Sequence, residues 1–309
     1  MTVGPESGRH PQAPNPEAIR LIHDMISCYH RKSMSKKNPD KTKLTHLLGM
    51  PLKDLEEEFV LVAAMQRQIM PDPERAESFG DYDMHGKTVP TAVAGGDYFD
   101  FIDLEGRFDL KNKMGLAVAD ASGHALAAAM LIRDFNTALY MGISFQSYYE
   151  RDTTSLLFTK MNRRMFRSSQ TNQYISAFYG ELQKRGILRY VNAGHLNPFV
   201  VKKKRVLELD VGGPVLGAFR DFPTPYEVGE IHLDQDDLLV CYTDGIVEST
   251  NPDDQEYGYQ RLVEITQENR HLEARALFDL VMEDVVRFRA GGEPIDDQTL
   301  VVIKKGLPG

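Results

Sequence analysis

The sequence predicts an α+β layered fold in which helices cover antiparallel sheets. Strand-like runs follow one another at 174–182, 187–191 and 198–206 with only short polar turns between them, which is hairpin spacing. Long helical patterns alternate with such runs, the strongest at 125–141, where an alanine- and leucine-rich stretch has high helix propensity and no breaker. The chain is 42% hydrophobic and 26% charged, which supports a packed core rather than a disordered chain. Hairpins mixed with long helices bury their apolar faces best as sheets covered by helices.

Taken in order, residues 1–16 form a polar, proline-rich arm without the apolar segment of a secretory signal. Ile19, Ile22, Met25 and Ile26 have helical spacing, and a basic, polar stretch follows at 31–43. So short and polar a segment buries little core of its own. The expected organisation is an N-terminal extension over 1–50, a linker helix over 51–73 and one catalytic-type domain over 74–309. The linker helix begins with Asp54 and Glu57 in capping spacing and carries Glu56, Glu57 and Glu58 at the end where negative charge is favoured. Leu55, Phe59, Val62, Met65 and Ile69 form its apolar stripe, and Pro71 and Pro73 stop it. Beyond it the expected strands are 96–104, 114–121, 174–182, 187–191, 198–206, 237–243 and 297–304. The expected helices are 125–141, 153–167, 260–269 and 272–289.

A net charge of −9 disfavours nucleic acid and anionic membrane as partners. The basic run Lys202-Lys203-Lys204-Arg205 lies between two apolar stretches and reads as a solvated hairpin end. Two cysteines, Cys28 and Cys241, offer neither a disulfide framework nor paired metal-ligand spacing, and a reducing cytoplasm is the expected compartment. Cys241, inside an apolar run, reads as a small core side chain.

The chemistry collects in acidic segments at the ends of expected strands: Gly95-Gly96-Asp97, Asp120-Ala121-Ser122-Gly123-His124, Thr243-Asp244-Gly245 and Asp296-Asp297-Gln298. Singly, each is an ordinary turn. Together they place carboxylates beside apolar runs, where unpaired charge is costly and like charges raise one another's pKa. Divalent cations remove both penalties. No histidine or cysteine cluster accompanies them, so an oxygen-only site for Mg²⁺ or Mn²⁺ is expected rather than one for Zn²⁺. Two such ions can activate a shared water for in-line attack at phosphorus.

In their order these segments resemble the PPM (PP2C-like) phosphatases, in particular the SpoIIE/RsbU branch. The resemblance rests on Gly95-Gly96-Asp97-Tyr98-Phe99-Asp100, on Asp120-Ala121-Ser122-Gly123-His124 before Ala125-Leu126-Ala127-Ala128-Ala129, and on Asn192-Ala193-Gly194-His195. It continues through Gly212-Gly213-Pro214-Val215-Leu216-Gly217, Thr243-Asp244-Gly245-Ile246-Val247-Glu248 and Asp296-Asp297-Gln298-Thr299. It implies an α-β-β-α four-layer sandwich, two antiparallel sheets flanked by helices and preceded by a helical linker. It also implies a metal-dependent phosphoserine/phosphothreonine protein phosphatase with two Mn²⁺ or Mg²⁺ and metal-bound water as nucleophile. By that resemblance Asp120 bridges both ions, the Ala121 carbonyl binds one, Asp97 supports the second, and Asp244 with Asp296 or Asp297 holds the first.

Ser122 and His124 are expected beside the metal loop, behind the ligands, and His195 is expected to make a structural hydrogen bond in its turn. The resemblance further implies a phosphorylated protein substrate, such as an anti-sigma-factor antagonist, and a homodimer through the helix near 54–70. One departure is Ala125, where the branch usually has glycine. The competing readings are a catalytically silent module of the same fold that grips phosphoprotein or senses metal, and a hydrolase of small phosphate esters.

Overall fold

The computed structural model describes residues 60–61, 64–66, 68–71, 77–91, 95–123, 126–149, 154–168 and 173–306. Residues Leu61–Gly309 cluster as one compact unit. The expectations for 1–50, for Leu55, Phe59 and Val62, and for His124 and Ala125 fall outside the described residues.

Twelve described strands build two sheets. The first has the order β1 (Glu77–Phe79), β2 (Tyr82–Val89), β12 (Gln298–Lys305), β11 (Leu238–Tyr242), β7 (Phe199–Val201) and β8 (Val206–Glu208). The second runs β10 (Gly229–His232), β6 (Ile187–Ala193), β5 (Ile175–Gln183), β4 (Lys113–Ala121) and β3 (Asp97–Ile102). All pairings along both orders are antiparallel, and β9 (Gly212–Gly213) adds a short parallel pairing to β6. The helices are α1 (Leu104–Phe108), α2 (Leu126–Tyr149), α3 (Thr154–Ser168), α4 (Asp244–Val247), α5 (Tyr259–Glu268) and α6 (Ala274–Phe288).

Alternation along the strands explains the layering. On β4, Leu116 and Val118 face one core while Ala117, Ala119 and Ala121 face another. On β12, Val301 and Ile303 join Phe99, Phe178 and Leu239 between the sheets, whereas Leu300 and Val302 pack with Leu277, Phe278 and Val281 of α6. The alanine face of β4 lies under Ile132, Phe135 and Leu139 of α2 and Phe158 of α3. Helices, sheet, sheet, helices is therefore the order of layers. Strands buried on both faces lose the polar alternation of a half-exposed sheet, which is why 238–242 reads as one apolar run. Burying a large side chain such as Phe178 contributes roughly 1.5–3 kcal/mol.

Three expectations need correction. The run 198–206 is a hairpin, β7 and β8, turning through Lys202–Arg205, where Lys203, Lys204 and Arg205 are exposed and Lys202 is held by Asp234 and Asp237. Helix α2 continues past Met141 to Tyr149: Gly142 is kept in the helix because a Cβ there would meet Leu157 Cδ1 at 1.9 Å. Strand β2, short on apolar side chains, was not expected as a defined element; its Gly86 lets Phe99 and Val301 pack against bare backbone. No described helix is long and apolar enough to cross a membrane.

Candidate metal centre

The two sheets bring the four acidic segments to one end of the sandwich. Register sets the first pair: Asp97 at the start of β3 stands directly across from Asp120 near the end of β4. Asp244 opens α4 immediately after β11, and Asp296 and Asp297 precede β12, which pairs with β11. Three close glycine approaches account for the motif glycines. A Cβ on Gly95 would lie 1.9 Å from Asp297 Oδ2, one on Gly96 2.8 Å from the Ala121 carbonyl, and one on Gly245 2.0 Å from the Asp297 carbonyl. Glycine at 96 thus leaves the Ala121 oxygen accessible.

Asp97 ties the sheets together. Its Oδ2 accepts from Thr243 Oγ1 at 2.7 Å and from Thr299 Oγ1 at 2.6 Å, and Thr88 Oγ1 lies 2.8 Å from that of Thr299. Burial pushes its carboxyl well above the usual range, Asp120 and Asp297 add repulsion, and the two threonines act in the opposite direction. Asp120 is raised to about 7, first by burial, then by Asp244, Asp296, Asp297 and Glu248. Burial and Asp296 raise Asp244, and burial, Asp244, Glu256 and Asp296 raise Glu248. These carboxylates therefore sit in one another's field at a single place.

Asp296 and Asp297 differ in their surroundings. Asp297 is buried, with Oδ1 accepting from Thr91 N–H (2.7 Å) and Thr91 Oγ1 (2.9 Å) and Oδ2 from Gly96 N–H (2.9 Å). Asp296 is exposed and accepts at Oδ1 from the Asp297 N–H at 2.8 Å. Adjacent carboxylates thus have different tasks available: one anchors the Thr91 and Gly95-Gly96 segments, the other faces outward beside Asp244.

Two other predicted residues, Ser122 and His195, hold neighbouring turns. Ser122 Oγ accepts from the Tyr174 N–H at 2.8 Å while Ser122 N–H donates to Tyr174 O, closing the loop after β4 onto the start of β5. His195 lies 2.9 Å by Nδ1 from Ser176 Oγ and 3.1 Å by Nε2 from the Tyr242 carbonyl. Its buried ring is pushed down to about 4 by desolvation, so it is neutral at ordinary pH. Asn192 holds that turn, accepting from His195 N–H and donating to the carbonyls of His195 and Leu209. The motif Asn192–His195 is thus a structural staple, as expected for His195.

Sequence reasoning assigned nothing to Glu248, Thr243, Thr299 or Gln66. The first three stand inside or beside the quoted motifs, so their positions were available. Gln66 gave no signal, yet its amide grips Gly95, donating to the carbonyl at 2.7 Å and accepting from the N–H at 3.0 Å.

The donor chemistry fits hard divalent cations: all oxygen, mutually repelling, with glycines clearing space at Gly95, Gly96 and Gly245. Among the described residues, no three Asp, Glu, His or Cys side chains already converge as an ion cage.

Comparison with known proteins agrees with this fold. Residues 111–306 match the family model of Stage II sporulation protein E (SpoIIE). The phosphoserine phosphatase RsbU of Bacillus subtilis (strain 168) is 23% identical over 230 residues, 72% of this chain and 63% of RsbU. The chain spans less than two thirds of the length of the curated relatives it matches. The SiaA-PP2C domain of Pseudomonas aeruginosa superposes with a TM-score of 0.67 at 18% identity, covering 82% of this chain and 97% of that one. The PP2C phosphatase domain of SpoIIE from Bacillus subtilis, solved with a fragment of its regulatory domain, gives 0.59 at 18% identity, covering 72% and 63%. With the matched segment running from the strand that carries Asp120 to the strand that follows Asp297, this chain belongs to the SpoIIE family of PP2C-like proteins.

Proposed function

We propose that the chain is a metal-dependent phosphoserine/phosphothreonine protein phosphatase of the cytoplasm, acting on a phosphorylated regulator such as an anti-sigma-factor antagonist. One observation carries the reading: Asp97 and Asp120 from one sheet meet Asp244, Asp296 and Asp297 from the other at one end of the sandwich, where burial first and the neighbouring carboxylates second raise Asp120 to about 7. Such a cluster is costly to maintain unless cations occupy it. Two Mn²⁺ or Mg²⁺ ions bound there would supply an activated water and neutralise charge on the phosphoryl oxygens.

In this reading Asp120 and the Ala121 carbonyl would hold the ions from the sheet of β3 and β4, and Asp244 and Asp296 would hold them from the other. Asp97, held by Thr243 and Thr299, would support them with its remaining oxygen. Asp297 orients Gly96 and Thr91. The relative named a phosphoserine phosphatase supports the substrate class. The domain division at 1–50, 51–73 and 74–309 is part of the proposal, as is a homodimer through the linker helix. Leu61, Ala64 and Met65, at helical spacing i, i+3 and i+4, are exposed there and favour pairing, while Ile69 packs on the domain's own core.

The second reading is a catalytically silent phosphoprotein-binding module of the same fold. Phosphate release from a phosphoserine protein with Mn²⁺, stopped by chelator, separates the two. Saturable phosphoprotein binding without release would establish the silent module.

A further inference from the structure

We propose that the C-terminal half of α3 and the loop 216–222 form a docking ledge for an acidic, apolar-flanked segment of the phosphoprotein substrate. The inference rests on the phosphatase reading and specifies where the protein part of the substrate lies.

The ledge is a built surface beside the carboxylates. Leu216 bridges Ile175 through two backbone hydrogen bonds (2.8 and 2.9 Å), and Ile175 pairs across β4 with Ala121. Two strand spacings, about 10 Å, therefore separate the start of the loop from the metal loop. From there the chain is fastened to α3: the buried Asn162 accepts from Gly217 N–H and donates to the Phe219 carbonyl, both at 2.9 Å. Gly217 has φ of 88° and lies so close to α3 that a Cβ would meet Met165 Cβ at 3.2 Å.

Fastened this way, the ledge turns its aromatic side chains outward. Phe219 is 56% exposed, Phe222 41% and Phe166 of α3 39%. Three outward phenylalanines at one place are unusual for a surface with no partner. Cations accompany them. Helix α3 carries Arg163, Arg164 and Arg167 and no acidic residue, and Arg220 lies between the loop phenylalanines. Asp221 pairs with Arg163 at 3.1 Å and with Arg220 at 3.6 Å, and Asp134 stands 3.7 Å from Arg164, which leaves positive charge in excess.

Charge complementarity identifies the occupant. The chain is net −9 and the neighbouring centre is lined with carboxylates, whereas this flank carries guanidinium groups in excess of its carboxylates. Guanidinium groups suit carboxylates, and phenylalanines suit aliphatic side chains. An extended peptide advances about 3.3 Å per residue, so residues three or more positions from the phosphoserine reach the ledge.

The test uses the full chain with Mn²⁺ and three probes. One is p-nitrophenyl phosphate. The other two are labelled phosphoserine peptides, carrying Asp and Leu, or Lys and Ser, three to six positions from the phosphoserine. The Asp/Leu peptide should have a KM lower by about ten-fold. Arg220→Glu combined with Phe222→Ser should erase that advantage through KM, leaving p-nitrophenyl phosphate turnover within about two-fold. An unchanged peptide preference in the variant, or equal losses on all three probes, would overturn the ledge. If the wild type hydrolyses none of them, the phosphatase reading fails by itself. Fluorescence anisotropy then decides the ledge: binding of the Asp/Leu peptide about ten-fold weaker in the variant supports it, and equal binding refutes it.

Discussion

Gln66 and Gly95 form a closed two-bond clamp, in which the glutamine amide donates to the glycine carbonyl at 2.7 Å and accepts from its N–H at 3.0 Å. Gly95 in turn leaves no room for a side chain beside Asp297. The linker helix is thereby tied by one side chain to the segment that carries Asp97.

Gln66→Ala removes both bonds and releases that segment. The Mn²⁺ concentration needed for half-maximal activity should rise several-fold, with kcat at saturating Mn²⁺ much less affected. Lost stability should be about 1–2 kcal/mol, the cost of two part-buried hydrogen bonds. A metal titration of activity checks it; an unchanged activation constant would remove the clamp from the account.

Asp120→Asn should make the metal-free protein more stable and far less active. The carboxyl of Asp120 is raised to about 7, above its ordinary 3.8. The native state therefore keeps a proton that the unfolded chain has already released, and stability falls as pH rises from about 4 through 7. At pH 8 in chelator the wild type carries the full penalty, of the order of 4 kcal/mol, and the asparagine variant does not. Denaturant melts at pH 8 with chelator should show the variant ahead, and a variant less stable than wild type there would contradict the repulsion argument.

His195 predicts acid sensitivity of a different origin. Its buried ring titrates at about 4 against 6.5 when unfolded. Above 6.5 both states are neutral. Between 6.5 and 4 only the unfolded chain takes the proton, so stability is lost across that window by up to about 3 kcal/mol. His195→Gln should flatten the pH dependence there while lowering stability at pH 7.5, since the contacts to Ser176 and Tyr242 are disturbed. Identical pH slopes for both proteins would show that His195 is not the group responsible.

Leu61→Glu with Met65→Glu should shift the protein toward monomer in light scattering at tens of micromolar. Both side chains are exposed, so the chain itself should melt within about 0.5 kcal/mol of wild type. A wild type that is already monomeric would end the homodimer proposal.

Much of this was legible in the sequence because the carboxylates stand where strands end. Asp120, Asp244 and the pair Asp296-Asp297 each border an apolar run, and the glycines in two of the four segments, Gly95-Gly96 and Gly245, announce a close approach. Strands such as 114–121 and 238–242 were legible from their apolar runs. Strand β2 was not, since Tyr82–Val89 alternates weakly and includes a glycine used for packing. Contacts made across the fold left no local trace: Gln66 meets Gly95 over 29 residues and Thr299 meets Asp97 over 202. The different surroundings of Asp296 and Asp297 were also closed to sequence, because Thr91 and Gly96, which bond to Asp297, lie about two hundred residues away in the chain.

The central claim is that the carboxylate cluster holds the cations that drive hydrolysis. Its most direct test is Mn²⁺ titration calorimetry on the full chain and on Asp244→Asn, paired with phosphate release from a phosphoserine protein in the same samples. Two ions should bind per wild-type chain, release should track their occupancy, and the variant should lose both binding and turnover by orders of magnitude while staying folded. Full turnover in excess chelator, or equal Mn²⁺ binding and turnover in Asp244→Asn, would contradict the account.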